Sequence, residues 1–190
     1  MRPRDEAKQK AIIKATIKLV NELGFVSSSV AKIAKEAGVS PASIYVYYSS
    51  KDDLLASTYK NIKWNMSVAV LKGFDGTLPI RDIFRQVWLQ LFDFVLNNRD
   101  DFQYAEQFAN SPYSERVDRA EIEAYFEPLI STLLRGIHQK IIKNVDIEIL
   151  GTFLISPVMV LANPRLCHYF KPTPENIEAA FNLAWDALKY

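Results

Sequence analysis

A chain of 190 residues, 49% hydrophobic and 24% charged, can bury a substantial core in one or two compact units, which excludes an intrinsically disordered protein. The formal net charge of +1 offers no argument for a polyanionic partner, but its distribution does: residues 1–60 hold ten Lys/Arg against six Asp/Glu, and the remainder thirteen against sixteen. The single cysteine, Cys167, excludes an internal disulfide framework and a cysteine-based zinc site, and it fits a reducing compartment.

The N-terminal stretch Met1-Arg2-Pro3-Arg4-Asp5-Glu6 is charged and lacks an apolar run, so no signal peptide is expected. The longest uncharged run, sixteen residues between Glu148 and Arg165, contains Pro157 and falls short of the roughly 20 apolar residues of a membrane span. A soluble cytoplasmic protein with no membrane segment is the expectation.

From Asp5 to Leu23, Ile12, Ile13, Thr16, Leu19, Val20 and Leu23 follow helical spacing, with Lys8, Lys10, Lys14 and Lys18 largely opposite. Gly24 is placed to end that helix, with Phe25 as its hydrophobic follower. Ser27, Ser28 and Ser29 offer caps for a second helix whose inward residues would be Val30, Ile33, Ala34 and Ala37. Gly38 closes it. Ser40 then caps a third helix that opens on Pro41, where a missing N–H costs nothing. Ile44 and Tyr48 share its buried stripe, leaving Ala42, Ser43, Val46 and Tyr47 largely outward.

A helix, a short glycine turn and a second short helix make the helix-turn-helix arrangement, whose second helix enters the DNA major groove. Helix starts bearing serine hydroxyls suit phosphate, and Ser28 or Ser29 and Ser40 sit at two of them. Ser50-Lys51-Asp52-Asp53 matches a Ser-x-x-Asp cap ahead of an apolar run. Lys51 opposes the helix dipole there, so a phosphate explains it better than helix stability does. Each of these pieces also occurs in ordinary helical bundles, and together they leave DNA binding and plain packing both open.

Ile33-Ala34, Ala37-Gly38-Val39-Ser40 and Ile44-Tyr45-x-Tyr47-Tyr48-x-x-Lys51-x-x-Leu54 resemble the DNA-binding domain of the TetR family of bacterial transcription regulators. The resemblance covers about the first third of the chain. Two departures stand out: Ala42 where the family usually has glycine, and Tyr47-Tyr48 where it often has histidine then phenylalanine. The resemblance implies an all-α protein of about nine helices. Its three-helix head would occupy residues 1–50, and a helical effector-binding and dimerisation domain residues 51–190. By position, Ser40, Pro41, Ala42 and Ser43 would lie near base edges. Tyr45, Tyr47 and Lys51 would hold phosphates, with Ser28 or Ser29 doing so at the second helix. The third helix has no Arg, Gln or Asn, so modest direct readout helped by DNA shape is expected. Arg2 and Arg4 could reach the minor groove or form a solvated tail.

Helical patterns continue through Lys51–Leu71, Pro79–Asn98, Arg99–Asn110, a long segment near 114–142 that Pro128 should bend or break, Val145–Ala162 and Glu175–Lys189. The aromatic load of residues 84–126 reads mostly as core. The family resemblance implies a ligand pocket there, with Trp88, Phe92, Tyr104, Phe108 and Tyr125 as its lining and a small hydrophobic or aromatic effector as its occupant. It also implies a homodimer through the last two helices, which would set two reading helices on a palindromic double-stranded operator. His138 and His168 lack metal-ligand spacing and no glycine-rich phosphate loop is present, so neither an enzyme, a metal nor a cofactor is expected. A ligand-released repressor is the leading reading. A DNA-binding regulator without a small-molecule effector, working through a protein partner or as an activator, is its alternative.

Overall fold

The computed structural model describes residues 5–190. Helix α1 (Glu6–Ser27) is capped by Asp5, whose carboxylate accepts the amides of Ala7 and Lys8. Its regular course breaks at Gly24, whose φ of +78° and ψ of 169° favour a residue without a Cβ. Helices α2 (Val30–Glu36) and α3 (Pro41–Tyr47) follow, joined through Gly38 at φ +68°, and α4 spans Lys51–Val70. Then come α5 (Ile80–Asn97), α6 (Arg99–Ala109), a 3-10 turn (Pro112–Arg116), α7 (Arg119–Ala124), α8 (Glu127–His138), α9 (Ile147–Leu161) and α10 (Pro174–Leu188).

The all-α architecture is as expected, with ten α-helices among the described residues rather than about nine. The extra one comes from the long segment near 114–142. Of a bend or a break at Pro128, the chain takes the break: α7 ends at Ala124, and Pro128 lies in the first turn of α8, where its missing N–H is harmless. Two short elements take up the chain before it. Antiparallel pairing among the described residues is limited to a bridge between Ile142 and Lys189.

The chain divides into two compact units, Met1–Trp64 with Arg99–Ile122, and Asn65–Asn98 with Glu123–Tyr190. This division differs from a boundary at residue 50. In the first unit α6 packs on α1, and polar contacts tie the two. The Asn21 side chain donates to the Asp100 carbonyl at 2.9 Å, and Gln107 donates to Asn21 at 3.0 Å. Ile12, Ala15, Leu19, Ile33, Ala34, Ile44, Tyr48 and Leu54 form one core of this unit. A second core gathers Ile17, Val20, Leu55, Ile62, Tyr104 and Phe108. The opposite sides of α1 therefore serve two cores, and burial of these apolar surfaces is the main force holding the short helices in place.

In the second unit α5 packs against α8, α9 and α10. Phe84, Trp88, Phe92 and Phe181 are fully buried there, and Arg85 forms a two-oxygen pair with Glu178 at 2.8 and 2.9 Å. Gly136 lets α8 approach closely: a Cβ there would stand 2.6 Å from Ile142 Cδ1.

Candidate nucleic-acid interface

The candidate interface is built on α2 and α3, which pack against each other while α2 also packs on α1. Ser29 caps α2 and accepts the Lys32 amide at 3.3 Å. Ser40 caps α3 and accepts the Ser43 amide at 3.1 Å, with its hydroxyl 2.9 Å from that of Ser43. At seven residues α3 is too short to persist alone, so its inward residues must hold it. Ile44 is 1% exposed and Tyr48 3%, both in the core with Ile33 and Ala34.

The remainder of α3 faces outward. Ser40, Pro41 and Ala42 are exposed and Ser43 is half-buried. Tyr45 is 55% exposed and Val46 67%, large values for apolar and aromatic side chains on a helix fixed by its opposite face. Val46 belongs to this face although no contact is expected of it from the sequence. A branched apolar side chain there suits a thymine methyl group.

Three other residues are placed in ways the sequence does not reveal. Ser28 is fully buried and donates to the Gly24 carbonyl at 2.7 Å, so of the two serines Ser29 is the one whose hydroxyl is exposed. The Lys51 ammonium donates to the carbonyls of Phe25 at 2.6 Å and Val26 at 3.4 Å. These carbonyls belong to the end of α1, where a cation is favourable, so a protein partner now accounts for a lysine in the first turn of α4. Tyr47 is half-buried, and its hydroxyl meets the backbone of Asp5. Nothing within four residues of Lys51 or Tyr47 signals either partner. Arg2 and Arg4 lie outside the described residues.

The cap of α4 is close to the expected form. Ser50 accepts the Asp53 amide at 3.0 Å, while the Asp53 carboxylate accepts the Ser49 amide at 2.7 Å and the Ser49 hydroxyl at 3.0 Å. The Ser49 amide bond, followed by the hydroxyl bonds of Ser49 and Ser57, holds the Asp53 carboxyl below the usual carboxylate range. The peptide that leaves α3 is thereby fixed to the helix that follows.

The five aromatics expected around an effector are distributed over both units. Tyr104 and Phe108 belong to the first unit, 6.2 Å apart between ring centroids, and Tyr104 donates to the Leu55 carbonyl at 2.8 Å. Trp88 and Phe92 belong to the second, 6.1 Å apart, with Phe181 5.8 Å from Trp88. Tyr125 is half-buried between α7 and α8. Trp88 Nε1 is buried and has no hydrogen-bond partner among the described residues.

Helices α9 and α10 pack on each other yet leave apolar residues outward: Ile149 is 50% exposed, Phe153 55%, Val160 44% and Leu183 74%. Among the described residues no group of His, Cys, Asp and Glu could hold a metal ion, and no helix is long and apolar enough to cross a membrane.

A helix-turn-helix head with an outward recognition face, joined to a helical body, defines the class of DNA-binding transcription regulators. A family model described as bacterial regulatory proteins of the tetR family matches residues 12–58, and one described as a tetracyclin repressor-like C-terminal domain matches residues 79–189. The chain belongs to the TetR family and is a DNA-binding transcriptional regulator. It is similar to an HTH-type transcriptional regulator of Haemophilus influenzae, 25% identical over 94% of either chain. It is also similar to the crystal structure of a TetR family transcription regulator from Marinobacter aquaeolei, with 35% identity, a TM-score of 0.90, and coverage of 100% of this chain and 99% of that one. The fold recurs in a putative TetR family regulator from Vibrio parahaemolyticus, at 24% identity, TM-score 0.77, and 96% and 99% coverage.

Proposed function

We propose that the protein is a cytoplasmic homodimeric repressor that occupies a palindromic operator and leaves it when a small apolar or aromatic molecule binds the body. The observation that carries the reading is the division of α3, with Ile44 and Tyr48 buried beneath an almost uncharged outward face of Ser40, Pro41, Ala42, Tyr45 and Val46. Such a face suits close entry into a major groove. Ser29, Ser43, Tyr45, Tyr47 and Lys51 are the groups assigned to the rest of the DNA contact. The exposed apolar residues of α9 and α10 supply the pairing surface, and a two-fold axis there presents two heads to two half-sites.

Trp88 supports a small-molecule effector. A buried indole N–H without a partner is costly, and an acceptor on a bound molecule would satisfy it. Release then requires that the molecule bind the two head spacings with different affinity. The second reading, a regulator with no small-molecule effector, draws on Tyr104, whose hydroxyl is already satisfied within a packed aromatic core.

The test is binding of the purified protein to labelled DNA from beside its own gene across a salt series, repeated with Tyr47→Ala and Lys51→Ala. Both variants weaken binding, and Lys51→Ala also flattens the logarithmic salt dependence by about one unit if its ammonium reaches a phosphate. Thermal melting of each variant accompanies the assay, since Lys51 also holds α1. Equal binding by wild type and both variants sinks the assignment of the head. Gene deletion that lowers transcription from the bound promoter sinks the repressor, and a thermal-shift screen with no molecule that also releases DNA favours the second reading.

A further inference from the structure

We propose that Val46 is the specificity-determining residue of α3: with Ala42 it forms an apolar ridge that reads the 5-methyl groups of pyrimidines in the major groove. The proposal rests on the reading of α3 as the DNA-reading helix, and it names the base feature that this helix selects. At about 100° per residue, the direction opposite the buried Ile44 falls between Ala42, about 160° round the helix, and Val46, about 200° round. Both are exposed, Val46 to 67%, while Ile44 on the other side is 1% exposed. Residues four apart share one helix face, so the two side chains make a continuous ridge at the point farthest from the core.

That ridge has no hydrogen-bonding group, and two of the polar groups beside it are engaged within the protein. The seven residues of α3 include no charged side chain and no side-chain amide. The Ser43 hydroxyl lies 2.9 Å from that of Ser40, which also accepts the Ser43 amide at 3.1 Å. Tyr47 Oη is taken up by the amide and the carbonyl of Asp5, at 3.2 and 3.3 Å. Tyr45, about 100° from Ile44, lies on a flank of the helix, which suits the DNA backbone rather than base edges. An apolar surface pressed on base edges strips water from donors and acceptors and returns nothing, a cost wherever cytosine N4 or guanine O6 lies beneath it. The apolar group that the major groove offers is the C5 methyl of thymine. Valine suits it in a second way: its branched Cβ holds one preferred rotamer on a helix, so little side-chain freedom is lost on contact. A methyl at C5 of cytosine stands in the same place, so it restores the contact though not the cost at N4.

The experiment takes the full chain and a duplex that wild type enriches from a random pool. Each thymine of the enriched site is replaced in turn by uracil, which keeps the base pair and removes the methyl. Burial of one methyl predicts a loss of roughly fourfold in wild-type affinity at the thymine beneath Val46. Val46→Ala, a change at an exposed side chain, melts as wild type does and binds the thymine duplex more weakly by a similar factor. It no longer separates thymine from uracil at that base, the non-additivity expected of two groups in contact. At the same base, wild type binds a 5-methylcytosine·guanine pair roughly fourfold more tightly than cytosine·guanine, and Val46→Ala binds the two alike. An enriched site at which no uracil weakens wild-type binding overturns the proposal, and this series needs no variant to fold. A uracil penalty that Val46→Ala leaves unchanged overturns it as well, since another side chain then touches the methyl. A pool that yields no enriched sequence refutes the reading of α3 itself, and the proposal falls with it.

Discussion

Ser40 offers a substitution pair in which stability and DNA binding should part company. Its hydroxyl accepts the Ser43 amide at 3.1 Å and is the cap of a helix of seven residues. Ser40→Ala leaves that amide without its acceptor and should cost about 1 kcal/mol of stability. Ser40→Asp keeps an acceptor of equal rank and adds a favourable charge at the helix start, so its melting point should match or exceed wild type. On DNA the order inverts. A carboxylate about 4 Å from a phosphate is repelled by roughly 1 kcal/mol in bulk-like surroundings and roughly 4 at an effective dielectric near 20. The affinity should therefore fall by roughly 5-fold to several hundred-fold per head, with the larger penalty at low salt. Fluorescence anisotropy at two salt concentrations, beside thermal melting of the same samples, measures both. If Ser40→Asp binds DNA as tightly as wild type while remaining folded, the start of α3 does not face the duplex and the orientation argued above is wrong.

The other predictions concern the scaffold and the assembly. Gly136→Ala would gain up to about 1 kcal/mol in helix propensity, but the new Cβ would lie 2.6 Å from Ile142 Cδ1 and 3.0 Å from Cγ1 in a fully buried side chain. Overpacking at about 1–3 kcal/mol should win, lowering the urea midpoint; adding Ile142→Val should recover part of the loss, and a stabilised single variant would refute the packing argument. Because the Asp53 carboxyl titrates below its ordinary value of 3.8, its contribution is complete above that pH and is lost as pH falls through the folded value. Asp53→Ala should therefore be less stable than wild type at pH 7, and urea midpoints of the two should converge below pH 3.8. A gap that persists undiminished at pH 3 would assign the effect to packing instead. Phe153→Glu and Leu183→Glu, at side chains 55% and 74% exposed, should yield folded monomers by light scattering that bind DNA more weakly. A dimer that survives both changes places the interface elsewhere.

Much of the head is legible without coordinates because its signals are local. Ser40 and Pro41 mark a helix start, the apolar spacing from Ile44 to Tyr48 marks its inward side, and Gly24 and Gly38 occupy φ values of +78° and +68° that other residues rarely adopt. Ser50 and Asp53 form a cap that four consecutive letters announce. Each of these depends on interactions spanning three or four residues, which a sequence displays directly.

Where a side chain meets a distant part of the chain, the sequence is silent. The same lysine that reads as a phosphate ligand, Lys51, donates to carbonyls at the end of α1, and Tyr47 returns to Asp5. Of three adjacent serines, one is buried on Gly24 and another remains at the surface, which no spacing rule distinguishes. The family resemblance groups Trp88, Phe92, Tyr104, Phe108 and Tyr125 as one lining, yet Tyr104 and Phe108 enter a different core from Trp88 and Phe92 because α6 packs on α1. The sequence by itself determined the helices of the head, the caps at Ser40 and Ser50, and the family, since periodicity and hydrogen bonding along the backbone are short-range. Which polar groups remain for DNA or a ligand was decided by tertiary structure, because that depends on the carbonyls and rings brought beside them when the helices pack.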